Sequence, residues 1–319
     1  MANNNQSQKP KFSVAITTTG YQKLINNTLG DPERAKRFIS SITSAVAVNP
    51  ALQECEAGTI LAGALLGESL NLTPSPQLGQ YYLVPFKQKA KTDRQGNIIS
   101  PEVVNAVFVL GYKGYIQLAT RTGQYTKLTV IEIKEGELKN FDPLNEVIDC
   151  VLIEDWDLRE STPTVGYYAM FEYANGFRKA IYWSKKQMMS HADKYSPAFS
   201  AKNYSDLVEG RIPGLTLQMI QEGAYIADKA LWEKANKMSS FWYKDFDGMA
   251  KKTMLRQLIS KWGVMSSEFI TAVEKDNNVI EIDGNIAPVL PESQSSRINA
   301  EDLAPDSTDV VEQVNLEDM

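Results

Sequence analysis

Between Lys234 and Trp262 the chain carries seven basic residues, Lys234, Lys237, Lys244, Lys251, Lys252, Arg256 and Lys261, against two acidic ones, Asp245 and Asp247. Three consecutive aromatics, Phe241, Trp242 and Tyr243, run straight into Lys244. Rings stack on bases and cations hold phosphates, so the two types interleaved this closely point to a single-stranded nucleic-acid site. Aromatics also seal core edges, their commoner fate, so both readings stand open for each ring.

A second constellation is GYKGYIQLATRTGQY, residues 111–125. If it is helical from Tyr112, then Lys113, Gln117 and Arg121 fall at i, i+4 and i+8 and form one polar stripe. Glycines at a helix start, here Gly111 and Gly114, let a phosphate approach free backbone N–H groups. An ordinary amphipathic helix with a solvated basic side has the same spacing. A third is KQKAKTDRQGNIISPE, residues 87–102, which places Lys87, Lys89, Lys91 and Arg94 on a protruding hairpin. Its alternative is a solvated loop.

Elements must hold these groups. Residues 17–70 read as helices: Asp31-Pro32 is a start signal, and Phe38, Ile39, Ile42 and Val46 recur at helical spacing. Strands are expected at 81–86, 103–110, 125–133, 146–153, 165–173 and 177–183, the last two joined by an Asn175-Gly176 turn. Helices are expected at 184–194, 216–237 and 248–262, the last capped by Asp247. On that last helix Lys252 and Arg256 share a flank, whereas Lys251 falls nearer the apolar side. Residues 1–14 read as a flexible arm, 15–270 as the folded domain and 271–319 as an acidic, disordered tail.

Charge follows the same division. The net charge is −6 over 319 residues. From Thr271 onward two basic residues stand against twelve acidic ones, while the first 270 residues hold 31 basic and 27 acidic. A mildly basic body with an acidic tail suggests nucleic-acid contact plus an interaction segment. Cys55 and Cys150 cannot make a disulfide framework or a CxxC zinc site. The N-terminus lacks a signal peptide's apolar core, and no run approaches the ~18 apolar residues of a membrane span, so a cytoplasmic protein is expected. One histidine, His191, excludes His-rich metal centres. No GxxxxGK[ST] is present, which argues against a P-loop ATPase. Glu132, Glu135 and Asp155 lie near strands, but their spacing marks no two-metal nuclease site.

Three blocks resemble the RecT family of phage single-strand annealing proteins, functionally related to lambda Red beta: GALLGESLNLTPSPQLGQYYLVPF (63–86), VFVLGYKGYIQLATRTGQY (107–125) and WYKDFDGMAKKTMLRQL (242–258). The match spans about residues 15–265 and suggests a bacterial or prophage member. One departure is the stretch 209–241, longer than the usual connection, which reads as an insertion or an oligomer contact.

The resemblance implies an α+β fold, a curved antiparallel sheet packed against a long helix, with additional N- and C-terminal helices. It implies an ATP-independent protein that coats single-stranded DNA as a ring or helical filament and anneals it for homologous recombination. No catalytic residue and no cofactor are required; Mg2+ is a non-catalytic ion at most. The expected partners are single-stranded DNA, the annealed duplex, further copies of the chain, and a 5′–3′ exonuclease or host single-strand binding protein docked on the tail. Lys113, Gln117, Arg121, Lys244, Lys251, Lys252 and Arg256 would line one phosphate groove. Tyr112 and Tyr243 would stack at its floor, and Lys87, Lys89, Lys91 and Arg94 would clamp the strand. The rivals are a metal-dependent nuclease and a passive single-strand binder.

Overall fold

The computed structural model describes residues 11–280 apart from 89, 94, 96 and 97. Helices open the chain: α1 (Phe12–Ala15), α2 (Thr19–Leu29), α3 (Pro32–Val48) and α4 (Ala57–Ser69). The Asp31 carboxylate accepts the Glu33 N–H at the start of α3, with Pro32 at the first helical position. This is the cap its sequence announces. Phe38, Ile42 and Val46 are buried as the spacing predicts.

The first sheet joins β1 (Tyr81–Gln88), β4 (Val103–Leu110) and the late strand β10 (Asn278–Val279), all antiparallel. A hairpin of β2 (Lys91–Thr92) and β3 (Ile98–Ser100) rises between β1 and β4. Alternation divides the faces. Tyr81, Leu83, Phe108 and Leu110 enter a core with α3 and α4. Tyr82, Val84 and Phe86 lie on the other face with Val107, Val109 and Val279.

After α5 (Tyr112–Arg121) comes β5 (Tyr125–Lys134), then a hairpin of β6 (Leu138–Asp142) and β7 (Val147–Cys150) and the short α6 (Trp156–Ser161). β8 (Thr164–Tyr173) lies between β5 and β9 (Arg178–Ser184) in a second antiparallel sheet. Tyr168 and Met170 face the β6–β7 hairpin. Tyr167, Ala169 and Phe171 face the opposite way, into a core of helices.

Those helices are α7 (Lys185–Tyr195), α8 (Ala201–Val208), α9 (Leu217–Glu222), α10 (Lys229–Lys237), α11 (Phe241–Lys244), α12 (Phe246–Trp262) and α13 (Ser267–Glu274). α12 joins the two halves. Its Leu255 and Ile259 belong to the first core, and its Ala250, Met254 and Leu258 to the second.

The fold class is α+β with antiparallel sheets, as expected. Four local expectations are corrected. The helix expected over 216–237 is broken after Glu222, where Gly223 takes a left-handed conformation (φ 65°) and Asp228 starts a new helix. The cap of α12 is Asp245, which accepts the Gly248 N–H, not Asp247. The arm expected over 1–14 loses its end to α1, where Phe12 is buried; residues 1–10 lie outside the described residues. Residues 271–280, expected as the opening of the tail, instead contribute part of α13, the buried Asp276 and β10. Residues 281–319 lie outside the described residues.

Candidate nucleic-acid interface

Four elements meet where β1 begins, α5 begins, and α11 passes into α12. Tyr82 on β1 points away from the core, and its ring lies 5.5 Å from that of Phe241 on α11. Burial and the nearby Asp245 raise the Tyr82 pKa, so the ring stays a neutral phenol. Tyr112 opens α5, and Nζ of Lys251 sits 4.9 Å above its ring. Lys251 also pairs with Glu132 of β5 at 3.3 Å. Burial would raise the Glu132 pKa, but Lys251 outweighs it and holds the carboxyl below its usual range. Lys113 and Gln117 project from α5 into solvent. Lys244 is exposed too, and it lies three residues after Phe241, on the same side of their single turn. Three half-buried rings, Tyr82, Tyr112 and Phe241, thus sit among Lys113, Lys244 and Lys251.

The glycines at the start of α5 serve a different end from the one their position suggests. A Cβ on Gly111 would lie 2.1 Å from the Gly79 carbonyl oxygen, and one on Gly114 would lie 2.2 Å from that of Gln80. The Gly111 N–H donates to the Gln80 carbonyl at 2.9 Å. These glycines seat α5 on the start of β1, so no phosphate is needed to explain them.

Other expected groove residues are engaged inside the protein. Tyr243 is 1% exposed, and its hydroxyl accepts the Ser200 N–H at 3.0 Å. It packs in the second core with Phe199 and Tyr204, and cannot stack on a base there. Lys252 is 5% exposed and bonds Oδ1 of Asp276 at 2.8 Å. Burial lowers its pKa, against the pull of Asp276. Arg256 reaches Oδ2 of the same carboxylate at 3.5 Å. The expected order on α12 is therefore inverted: Lys251 faces the ring cluster and Lys252 faces the core. Arg121 donates to the carbonyls of Leu70 and Asn71 at 2.5 and 2.7 Å, neutralising the carbonyl end of α4. Lys87 is exposed and paired with Glu102 at 2.7 Å. The backbone of Lys91 pairs with that of Ser100 in the hairpin. Lys89 and Arg94 lie outside the described residues.

The sequence singled out Tyr243, which the fold buries, and neither Tyr82 nor its neighbour Phe241, whose rings meet at this surface. The signal for Tyr82 was present: Tyr81 and Tyr82 are adjacent on a strand, so one must leave the core.

Several carboxylates beside the second sheet are held by internal partners, whereas Glu135 is exposed. Glu137 is buried and accepts both Nε (2.6 Å) and Nη2 (3.2 Å) of Arg159. Asp247 accepts the Tyr167 hydroxyl at 2.5 Å and the Thr164 hydroxyl at 3.1 Å. Asp155 caps α6 through the Leu158 N–H. Among the described residues no group of His, Cys, Asp and Glu could hold a metal ion, and no helix is long and apolar enough to cross a membrane.

The model of the RecT family matches residues 36–289. The chain is 32% identical over 294 residues to the uncharacterized protein YqaK of Bacillus subtilis (strain 168), a match covering 92% of this chain and 80% of that protein. It is 27% identical over 154 residues to protein RecT of Escherichia coli (strain K12), covering 48% of this chain and 53% of that protein.

Proposed function

The chain belongs to the RecT family, and we propose that it anneals complementary single strands of DNA for homologous recombination, without ATP and as a self-associated coat on the DNA. Family membership supports the recombination and annealing role. The observation that carries the finer reading is the cluster of Tyr82, Tyr112 and Phe241 among Lys113, Lys244 and Lys251.

An annealing protein must hold one strand by its backbone and leave the pairing edges of the bases open. Cations that touch phosphate do so without reading sequence. Half-buried rings add sequence-tolerant contact with base faces, on the order of 1–3 kcal/mol per base engaged. Gln117, exposed one turn after Lys113, can donate a neutral hydrogen bond to the same backbone. Lys251 is held over Tyr112 and beside Glu132, so it is positioned before DNA arrives. The hairpin β2–β3, with Lys87 at its base, would clamp the strand beside this surface.

The acidic residues beyond Ile280 would dock an exonuclease or a host single-strand binding protein. Removing residues 281–319 would then leave annealing in vitro intact and weaken recombination in cells; loss of annealing itself would contradict that assignment. The interface is tested by replacing Lys113 and Lys244 together with alanine. Binding to a single-stranded oligonucleotide, and annealing with it, should fall together while the melting temperature holds. Unchanged binding would remove the surface from the account.

A further inference from the structure

Two surfaces of this chain leave large apolar side chains in water, and they lie on opposite sides of the β5–β8–β9 sheet. The first is a ridge made by β6–β7, α6 and the segment between them. Leu144 is 92% and Trp156 66% exposed, and Val147, Val151, Leu152 and Leu158 are exposed around them. Asp149, Glu154, Asp155, Asp157 and Glu160 are exposed on the same segment, so the ridge is acidic. It is also held firmly. Buried Glu137 grips Arg159 of α6 through two hydrogen bonds and accepts the N–H groups of Lys134 and Ile153. Arg159 in turn donates to the Glu132 carbonyl at 2.8 Å. A rigidly anchored element that presents apolar side chains to water is a binding surface.

The second surface is formed by α10 and the segment before it. Tyr225 is 90% and Trp232 53% exposed. α10 has no buried residue, though Leu231 and Ala235 lean on the second core. Beside α8 it forms a groove of about 410 Å3, lined by Asn203, Ala230, Glu233, Lys234, Lys237 and Met238. Lys234 and Lys237 stand one turn apart there, with Lys202 and Lys229 exposed nearby. α10 supplies no residue to the ring cluster proposed to hold DNA.

The ridge stands over the sheet face that carries Tyr168 and Met170. α10 packs into the core beneath the opposite face, which carries Tyr167, Ala169 and Phe171. One surface is acidic with an exposed tryptophan; the other offers Lys234 and Lys237 in a groove, with exposed Trp232 on the other flank of α10 and exposed Tyr225 before it. Complementary charge sets register and partner, and tryptophan and tyrosine anchor interfaces.

We infer that the acidic ridge of one copy of this chain docks on the α10 groove of the next. The contact is head-to-tail: each copy uses a different surface toward each neighbour, so assembly continues until it closes into a ring or runs on as a helix. The inference gives surfaces to the self-association proposed above and rests on that reading only for the purpose the assembly serves.

The test uses two full-length variants, one with the ridge damaged (Trp156→Glu) and one with the groove damaged (Lys234→Glu with Lys237→Glu). Sedimentation velocity is run on each alone and on an equal mixture, with and without a poly-dT oligonucleotide, after circular dichroism has confirmed folding. The milder Trp156→Ala is run beside them. Each variant alone should need at least tenfold higher concentration than the parent to assemble. The mixture should form a dimer and stop there, because it contains one intact ridge facing one intact groove. Parent-like assembly by either folded variant, a folded mixture that stays monomeric, or a parent that stays monomeric throughout would overturn the inference. Annealing is followed on the parent in parallel. A parent that anneals while the mixture fails to dimerise removes the interface alone, and a dimerising mixture with a parent that does not anneal removes the functional reading alone.

Discussion

Nζ of Lys252 lies 2.8 Å from Oδ1 of Asp276, and both side chains are buried. The same carboxylate oxygen accepts the Leu110 N–H at 2.9 Å. The pair therefore ties α12 to the end of β4 and to the turn that leads into β10. Removing one partner strands the other charge in the core. Lys252→Met should destabilise the protein by about 3–5 kcal/mol, the usual cost of breaking a buried pair. Urea unfolding measures this, and an unchanged midpoint would show that the pair holds nothing.

Lys113 and Arg121 share one face of α5 but should behave differently. Lys113→Ala should reduce the salt slope of single-strand binding by about 0.7, the value for one lost phosphate contact on a single strand, with stability unchanged. Arg121→Ala should leave the slope alone and cost about 1 kcal/mol of stability through loss of its hold on the end of α4. Titrations at several salt concentrations, paired with melting curves, separate the two. Equal slopes for both variants would mean that Lys113 makes no phosphate contact.

The rings divide in the same way. Tyr82→Ala or Phe241→Ala should weaken single-strand binding roughly ten- to a hundredfold, the equivalent of one lost stacking contact. Tyr82→Phe should restore most of it, because the face of the ring does the binding. Tyr243→Phe should lower stability and leave affinity unchanged. Fluorescence anisotropy with a labelled oligonucleotide reads all four. A drop in affinity confined to Tyr243 would reverse the assignment.

Acid should loosen the β6–β7–α6 ridge. Burial alone would raise the Glu137 pKa, but Arg159 and two backbone N–H groups hold it below its ordinary 4.5. A carboxyl depressed in the folded state contributes stability that is fully present above its unfolded pKa and is lost as pH falls through its folded one. The effect therefore belongs below pH 4.5. Stability measured from pH 6 downward should fall in that range, and Glu137→Gln should start lower and fall less steeply. Parallel curves for the two proteins would rule out Glu137 as the acid-sensitive group.

Much of this fold was legible in the sequence where one signal acted alone. β1, β4 and β8 are near-continuous apolar runs bounded by turns, and α3 carries both its cap and its apolar period. β6 went unread because Leu138–Asp142 is short, polar and half exposed. The break between α9 and α10 had its signals, Gly223 and Asp228, but the apolar residues on either side run on with compatible spacing. The site was legible by region more than by residue. Three consecutive rings cannot all face one way, and in α11 the turn sends Trp242 and Tyr243 inward and leaves Phe241 with Lys244 outside. Lys252 could not be read locally at all. What buries it is Asp276, twenty-four positions downstream in a segment whose charge reads as tail.

The most direct test is the annealing of two complementary labelled oligonucleotides, added one after the other without ATP, with product length checked on a denaturing gel. The account predicts pairing much faster than the uncatalysed rate, with strands of full length and a rate that falls in the Lys113→Ala, Lys244→Ala double variant. Tight binding with no acceleration would contradict it and leave a passive coat, and shortened strands would contradict it in favour of a nuclease.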